Sequence, residues 1–167
     1  MSDPFATLGL PARFGLSRSE IEGRWKELSK ALHPDRHAQA SPAERRAALG
    51  RAVTVNEAYR AIRDELGRAE AVLVLRGGRT RRDAEPALLM EVMELRETLV
   101  EKRASGDEAG VRRLAERVEA QAASARAALA VALDGEPPAL EVAAAELARL
   151  RYLQRFLDEV RATEDEA

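Results

Sequence analysis

The stretch that most limits what this chain can fold into is Leu28-Ser29-Lys30-Ala31-Leu32-His33-Pro34-Asp35-Arg36. Before it, Ile21, Trp25, Leu28 and Leu32 repeat at helical spacing and predict one buried stripe. A proline disfavours the α conformation of the residue before it, so this helix is predicted to stop at about His33. The next start signal is Ser41-Pro42-Ala43-Glu44: an N-cap serine, a proline at the first helical position and a glutamate placed for a capping box. The loop from His33 to Ala40 therefore joins two antiparallel helices, with an imidazole, a rigid ring and a carboxylate at its entrance where a partner can reach them. An X-Pro-Asp turn also occurs as a plain structural stop. His33 and Asp35 read as a catalytic acid/base pair lack a nearby nucleophile or a third orienting group in sequence. His33 and His37 are four apart, but Pro34 interrupts the helix that would align them. The chain has no cysteine, so neither a metal site nor any other cofactor is expected.

Composition narrows the class. The hydrophobic fraction is 46%, much of it alanine, and aromatics are only 4%, which suits thin helical cores better than a sandwich or barrel. Charged residues make up 34% with a net charge of −2, without the basic excess that nucleic-acid binding needs. Met1-Ser2-Asp3-Pro4 lacks the basic and apolar regions of a signal peptide, and no apolar run is long enough to span a bilayer. The expectation is a soluble, cytoplasmic protein that touches neither nucleic acid nor membrane.

Residues 4 to 9 read as a short first helix ended by Gly9 and Pro11. Ser17 caps the next, with Glu20 completing a capping box and Leu16 available as a hydrophobic staple. Lys26 and Lys30 fall opposite that helix's apolar stripe; alone they read as an ordinary solvated face, and beside the His33-Pro34-Asp35 loop they become the expected docking surface for an acidic partner. The helix from Pro42 to about Ile62 turns Ala48, Leu49, Ala52, Val55, Asn56, Tyr59 and Ile62 inward, with Asn56 expected to satisfy a buried backbone group. A further helix from Gly67 to about Leu75 adds Ala71, Val72 and Leu75. Gly77-Gly78 ends it, and Arg79-Thr80-Arg81-Arg82-Asp83 reads as a solvated linker.

Beyond Glu85 the pattern changes to long helices with short connections: Pro86 to about Ala104, a second helix capped by Ser105-Gly106-Asp107-Glu108 and stopped by Asp134-Gly135-Glu136-Pro137-Pro138, and a third from about Ala139 to Arg161. The second carries Val111, Leu114, Val118, Ala122, Ala125, Leu129 and Leu133. The third carries Ala143, Glu146, Leu147, Leu150, Leu153, Leu157 and Val160. Together they predict an antiparallel three-helix bundle. On its first helix Leu88, Val92, Leu95 and Leu99 form the core stripe. Leu89, Met90 and Met93 lie on a second apolar face followed by an acidic ridge of Glu94, Glu97 and Glu101. A helix with two neighbours needs a wide apolar face, which accounts for Leu89 but not for Met90, nearly opposite the stripe. Tyr152 also stands off the Leu150/Leu153/Leu157 stripe. Methionines and an exposed tyrosine that meet across two helices make a candidate binding patch.

Several segments carry a resemblance. Trp25 to Arg36 looks like helix II and the signature loop of a J domain, Val55-Asn56-Glu57-Ala58-Tyr59 like its helix III, and Asp3 to Leu10 like its opening. Gly9-Leu10-Pro11-Ala12-Arg13-Phe14, Arg68-Ala69-Glu70, Leu89-Met90-Glu91-Val92-Met93-Glu94-Leu95-Arg96-Glu97 and Leu150-Arg151-Tyr152-Leu153 narrow it further. In this order, over nearly the whole chain, they resemble the HscB (Hsc-twenty) co-chaperone family of iron–sulfur cluster biogenesis.

The resemblance implies an all-α protein with a J domain over 1–78, a linker over 79–84 and a scaffold-binding three-helix bundle over 85–167. It implies a non-enzymatic regulator that stimulates the ATPase of a DnaK/HscA-type chaperone and delivers the scaffold protein IscU to it. His33, Pro34 and Asp35 would be the stimulating loop, with Lys26, Lys30 and Arg36 steering the chaperone. Asp35 would pair with an arginine of the chaperone's ATPase domain, and His33 would meet its interdomain linker. Leu89, Met90, Met93 and Tyr152 would be the apolar scaffold contacts, and Glu94, Glu97 and Glu101 the charged ones. The chain departs from the family pattern in places. Tyr152 stands where phenylalanine is expected, Glu27 replaces a basic residue, and the N-terminal cysteine module of some members has no counterpart. No proline precedes Arg68-Ala69-Glu70, which predicts a smoother turn there. Two other readings are a general J-domain adaptor for a different client, which need not carry the Leu89–Glu101 face, and a helical enzyme using His33 and Asp35.

Overall fold

The computed structural model describes residues 3–37, 40–81 and 85–164. Among these the chain forms seven α-helices and one turn of 3-10 helix, with no strand. The helices are α1 (Pro4–Leu8), α2 (Arg18–Ala31), α3 (Pro42–Ile62), α4 (Glu65–Leu75), α5 (Pro86–Ala104), α6 (Glu108–Asp134) and α7 (Leu140–Glu164), and the 3-10 turn is Pro34–His37. None among the described residues is long and apolar enough to cross a membrane. The chain divides into two compact units, Met1–Gly77 and Gly78–Ala167. Residues 38 and 39 of the expected loop and residues 82–84 of the expected linker lie outside the described residues.

Local hydrogen bonds start the helices of the first unit where the sequence predicts. Asp3 accepts from the amides of Phe5 (2.8 Å) and Ala6 (3.1 Å), and Gly9 closes α1 in the left-handed region at φ 66°. A side chain at Gly9 would also press on Arg24, whose Nε donates to the Leu8 carbonyl at 2.9 Å. Both serine boxes form. Ser17 N–H donates to Glu20 at 2.7 Å, and Ser41 N–H donates to Glu44 at 2.8 Å. The Ser17 hydroxyl, then its amide, hold the Glu20 carboxyl below its usual range.

α3 is the spine of this unit and packs against α1, α2 and α4. Trp25 stacks on Tyr59 with ring centroids 4.5 Å apart, and its indole N–H donates to Asn56 Oδ1 at 2.8 Å. Asn56 thus serves a side chain from α2 and not the backbone group expected of it. The α2 stripe is shallower than its periodicity suggests: Ile21 is fully buried, whereas Trp25, Leu28 and Leu32 are half-buried. Leu49 (62% exposed) and Leu75 (44%) lie outside the core predicted to hold them, and Ala69 and Leu73 fill it instead.

The junction of α3 and α4 is a full break, not a smooth turn. Asp64 adopts an extended ψ of 158° and caps α4 by accepting from Gly67 N–H at 2.8 Å. Gly67 makes the corner possible, because a Cβ there would stand 2.5 Å from the Ala61 carbonyl oxygen. Asp64 and Gly67 therefore do without the expected proline. The break also aims Arg68 inward. Its Nε donates to the Phe14 carbonyl at 2.9 Å, its NH1 donates to the Ile62 carbonyl at 3.1 Å, and its guanidinium lies over the Phe14 ring. Arg68 is 9% exposed, and burial pushes its pKa down. One side chain thus pins the segment before α2 to the α3–α4 corner. Arg68→Ala is expected to destabilise this unit by about 2–4 kcal/mol, since two buried carbonyls lose a charged donor. Arg68→Lys should rescue little, because an ammonium lacks the planar fork. Urea unfolding followed by the fluorescence of Trp25, the chain's one tryptophan, measures this.

In the second unit α6 and α7 form the closest pair. Small buried residues, Ala122, Ala125, Ala132, Ala143, Ala144 and Ala148, lie between the larger Leu129, Leu133, Leu147, Leu150, Leu153 and Phe156 and let the two helices approach. Phe156 is fully buried, although the sequence stripe did not include it. Asp107 caps α6 by accepting from Gly110 N–H at 2.7 Å. That bond and Lys102 keep its carboxyl below the usual range. α5 lies on this pair through a narrow stripe of Val92, Leu95 and Leu99, with Leu88 half-buried at its start.

Candidate protein-binding sites

In the first unit, Leu32 caps α2 and Pro34 opens the 3-10 turn, so the chain reverses where the proline rule predicts. The turn is held locally. Arg36 N–H donates to the His33 carbonyl at 3.0 Å, and Asp35 N–H donates to His33 Nδ1 at 3.3 Å. Both contacts of the ring are made through Nδ1, which leaves Nε2 without a partner among the described residues. The Asp35 carboxylate approaches Nδ1 at 3.4 Å, and the side chains of His33 and Asp35 are 60% and 89% exposed. No side chain from another helix orients either group among the described residues. Lys26, Lys30 and Arg36 are exposed, and Lys26 lies near Glu22, whose carboxyl is held low first by Arg18.

A groove of about 620 Å³ in this unit lies between α1, α3 and α4, lined by Thr54, Ala58, Ala61, Ala71, Val74 and Leu75. Val74 and Leu75 are exposed along it, and the hydroxyls of Thr7 and Thr54 on its wall donate to the carbonyls of Asp3 and Gly50.

In the second unit, the outer side of α5 carries the other predicted group. Leu89, Met90 and Met93 are 41%, 63% and 60% exposed. Val100, absent from the sequence prediction, is 67% exposed seven residues after Met93 and extends the same apolar row. Helical spacing alone would have found it. Glu94, Glu97 and Glu101 follow Met90 at intervals of four, three and four residues and are all exposed.

Pairing separates these carboxylates from the other charges of α5. Glu91 accepts from Arg149 at 3.0 Å and from Gln121 at 2.9 Å. Arg96 pairs with Glu159 at 3.0 Å, and Arg103 donates to the Val160 carbonyl at 3.2 Å. Glu94, Glu97 and Glu101 make no ion pair among the described residues. Tyr152 is half-buried, not fully exposed as predicted. It sits on α7 between Arg149 and Glu159, the two residues that reach across to α5. The same helix pair therefore carries the methionines and the tyrosine, with part of the ring available at the surface.

Comparisons with known proteins agree with this architecture. A family model described as the HSCB C-terminal oligomerisation domain matches residues 84–161. The chain is similar to a co-chaperone protein HscB homolog of Azoarcus sp. (strain BH72), at 35% identity over 164 residues, 95% of this chain and 91% of that relative. It superimposes on the chaperone HscB from Vibrio cholerae with a TM-score of 0.84 and 33% identity, over 99% of both chains. The crystal structure of human co-chaperone protein HscB aligns with a TM-score of 0.83 over 100% of this chain and 84% of that one. Its 22% identity makes this a likeness of fold alone.

Proposed function

The chain belongs to the HscB co-chaperone family, and on that premise we propose that it stimulates the ATPase of a DnaK/HscA-type chaperone and delivers an IscU-type scaffold protein to it in cytoplasmic iron–sulfur cluster assembly. The observation that supports this reading is an exposed polar turn on one unit and an exposed apolar and acidic helix face on the other. The first is the His33–Asp35 turn, and the second is the α5 face whose carboxylates make no ion pair among the described residues. A general J-domain adaptor would need only the first.

The chain supplies no chemical step of its own in this scheme. The turn acts by binding the hydrolysis-competent state of the chaperone more tightly than its other states. The exposed Asp35 carboxylate suits a charge-assisted bond to an arginine of the ATPase domain. His33 offers its imidazole to the chaperone's interdomain linker, Pro34 fixes the backbone between them, and Lys26, Lys30 and Arg36 steer the encounter. On the other unit, Leu89, Met90, Met93 and Tyr152 hold the scaffold by apolar contact, while Glu94, Glu97 and Glu101 set its register against basic residues.

The test is steady-state ATP turnover by the purified chaperone with the chain, with an IscU-type scaffold, and with both. The chain alone should stimulate, and the two together should stimulate further. No stimulation in either mixture overturns the reading. Lys26→Glu with Lys30→Glu should slow association with the chaperone by about tenfold at low salt and weaken its salt dependence. The same variant should bind scaffold with unchanged affinity. Equal loss of both activities would show that the two partners share one surface.

A further inference from the structure

We propose that Glu91 and Arg149 are positioning residues for scaffold recognition: their ion pair holds α5 on α7 in the register that keeps Met90 and Met93 facing outward. This rests on the scaffold-binding reading above and adds to it the residues that build the surface without touching the partner.

α5 is loosely specified by its apolar contacts. Of its 19 residues only Val92, Leu95 and Leu99 are fully packed away, and Leu89, Met90, Met93 and Val100 face outward. A stripe that narrow resists rotation and sliding weakly, because the outer apolar residues would pack inward nearly as well. Polar cross-links settle the choice. Glu91 accepts from Arg149 NH2 through both oxygens, at 3.0 and 3.3 Å, and from Gln121 Nε2 at 2.9 Å, so one carboxylate ties all three helices. A second link joins Arg96 to Glu159 at 3.0 Å.

On α5, Glu91 stands two residues before Met93 and so about 160° away around the helix, turned to α6 and α7 while Met93 faces outward. On α7, Arg149 and Glu159 stand three before and seven after Tyr152, spacings that keep all three on one side of the helix. Advancing α5 by one residue turns its face by about 100° and would carry the methionines away from their outward positions.

The Glu91 link is the more discriminating of the two. Its side chains are 31% and 39% exposed, against 47% and 44% for Arg96 and Glu159. Arg149 Nε and Gln121 Oε1 are also buried with no partner. Any register that removed Glu91 would strand more polar atoms there, so the cluster accepts one arrangement and penalises its neighbours. A polar group at a helix interface that fixes register at some expense of stability has precedent in coiled coils.

The test uses the full chain, Arg149→Met, and calorimetric titration of a purified IscU-type scaffold well below the unfolding midpoint. Affinity should fall roughly tenfold, as expected when a coupled contact is lost. Tyr152→Ala should weaken binding far less in the Arg149→Met background than in the wild type, because the methionine face and the ring are then no longer held in one register. Exchanging the partners, Glu91→Arg with Arg149→Glu, should restore most of the affinity, since the Gln121 amide offers an acceptor as readily as a donor. If Arg149→Met folds poorly, Glu91→Gln keeps the volume and should show a smaller loss in the same direction. A lower melting point with unchanged affinity and an unchanged Tyr152 effect would overturn the proposal and leave scaffold binding by α5 intact. Normal scaffold binding by Met90→Ala/Met93→Ala/Tyr152→Ala would overturn both.

Discussion

His33→Gln is expected to abolish stimulation of the chaperone ATPase while leaving the fold untouched. The side chain is 60% exposed, and its contacts among the described residues are to Asp35 within the same turn. Surface changes of this kind shift stability by about ±0.5 kcal/mol, so helical content and melting point should stay within error. Glutamine has similar reach and keeps a donor and an acceptor. What it removes is the ring and its way of holding the turn through Nδ1. Scaffold affinity should be unchanged, because the α5 face belongs to the other unit. ATP turnover, a thermal melt and a scaffold titration on one preparation test the three parts. Normal stimulation would show that the turn is not the activating contact.

The second large effect is expected from Met90→Ala, Met93→Ala and Tyr152→Ala combined. Anchors in an interface each contribute about 1–2 kcal/mol or more, so scaffold affinity should fall by roughly 3–5 kcal/mol, two to three orders of magnitude or more in Kd. Met90 and Met93 are more than half exposed and leave no cavity when shortened. Tyr152 is half-buried, and its truncation should add a stability loss of about 1 kcal/mol. Tyr152→Phe separates the two contributions: it keeps the ring and should bind nearly normally. The triple variant should still stimulate the chaperone by itself and lose the extra stimulation that scaffold brings. Unfolding of the variant would mean that these residues are core.

The sequence was most informative where physics is local. Capping boxes at Ser17 and Ser41, the N-cap at Asp3 and the stop before Pro34 involve groups within about four residues of one another, and each formed where the residue types required. The outward face of α5 was legible because Met90 cannot join a stripe running through Val92, Leu95 and Leu99 on a 3.6-residue repeat. Periodicity was a poorer guide to depth. Leu49 and Leu75 lie on apolar sides of their helices but face open surface, and Phe156 is buried with no place in the expected stripe, because depth depends on which neighbouring helix arrives.

By itself the sequence determined the helices, most of their ends, the exposed turn at His33–Asp35 and the two-sided character of α5, since these follow from bonds and spacings inside one element; the start of α4, expected at Gly67 after a smooth turn, lies at Glu65 after a break. Only the tertiary structure decided that Arg68 is buried against Phe14, 54 positions away, that Asn56 serves Trp25, 31 away, and that Tyr152 is half-covered. It also decided which charges of α5 are paired inside the bundle and which make no ion pair among the described residues. Glu91 and Glu94 are the same residue on the same helix, and nothing local distinguishes them. The difference is that Arg149 arrives beside one, 58 positions along the chain, and no described cation reaches the other.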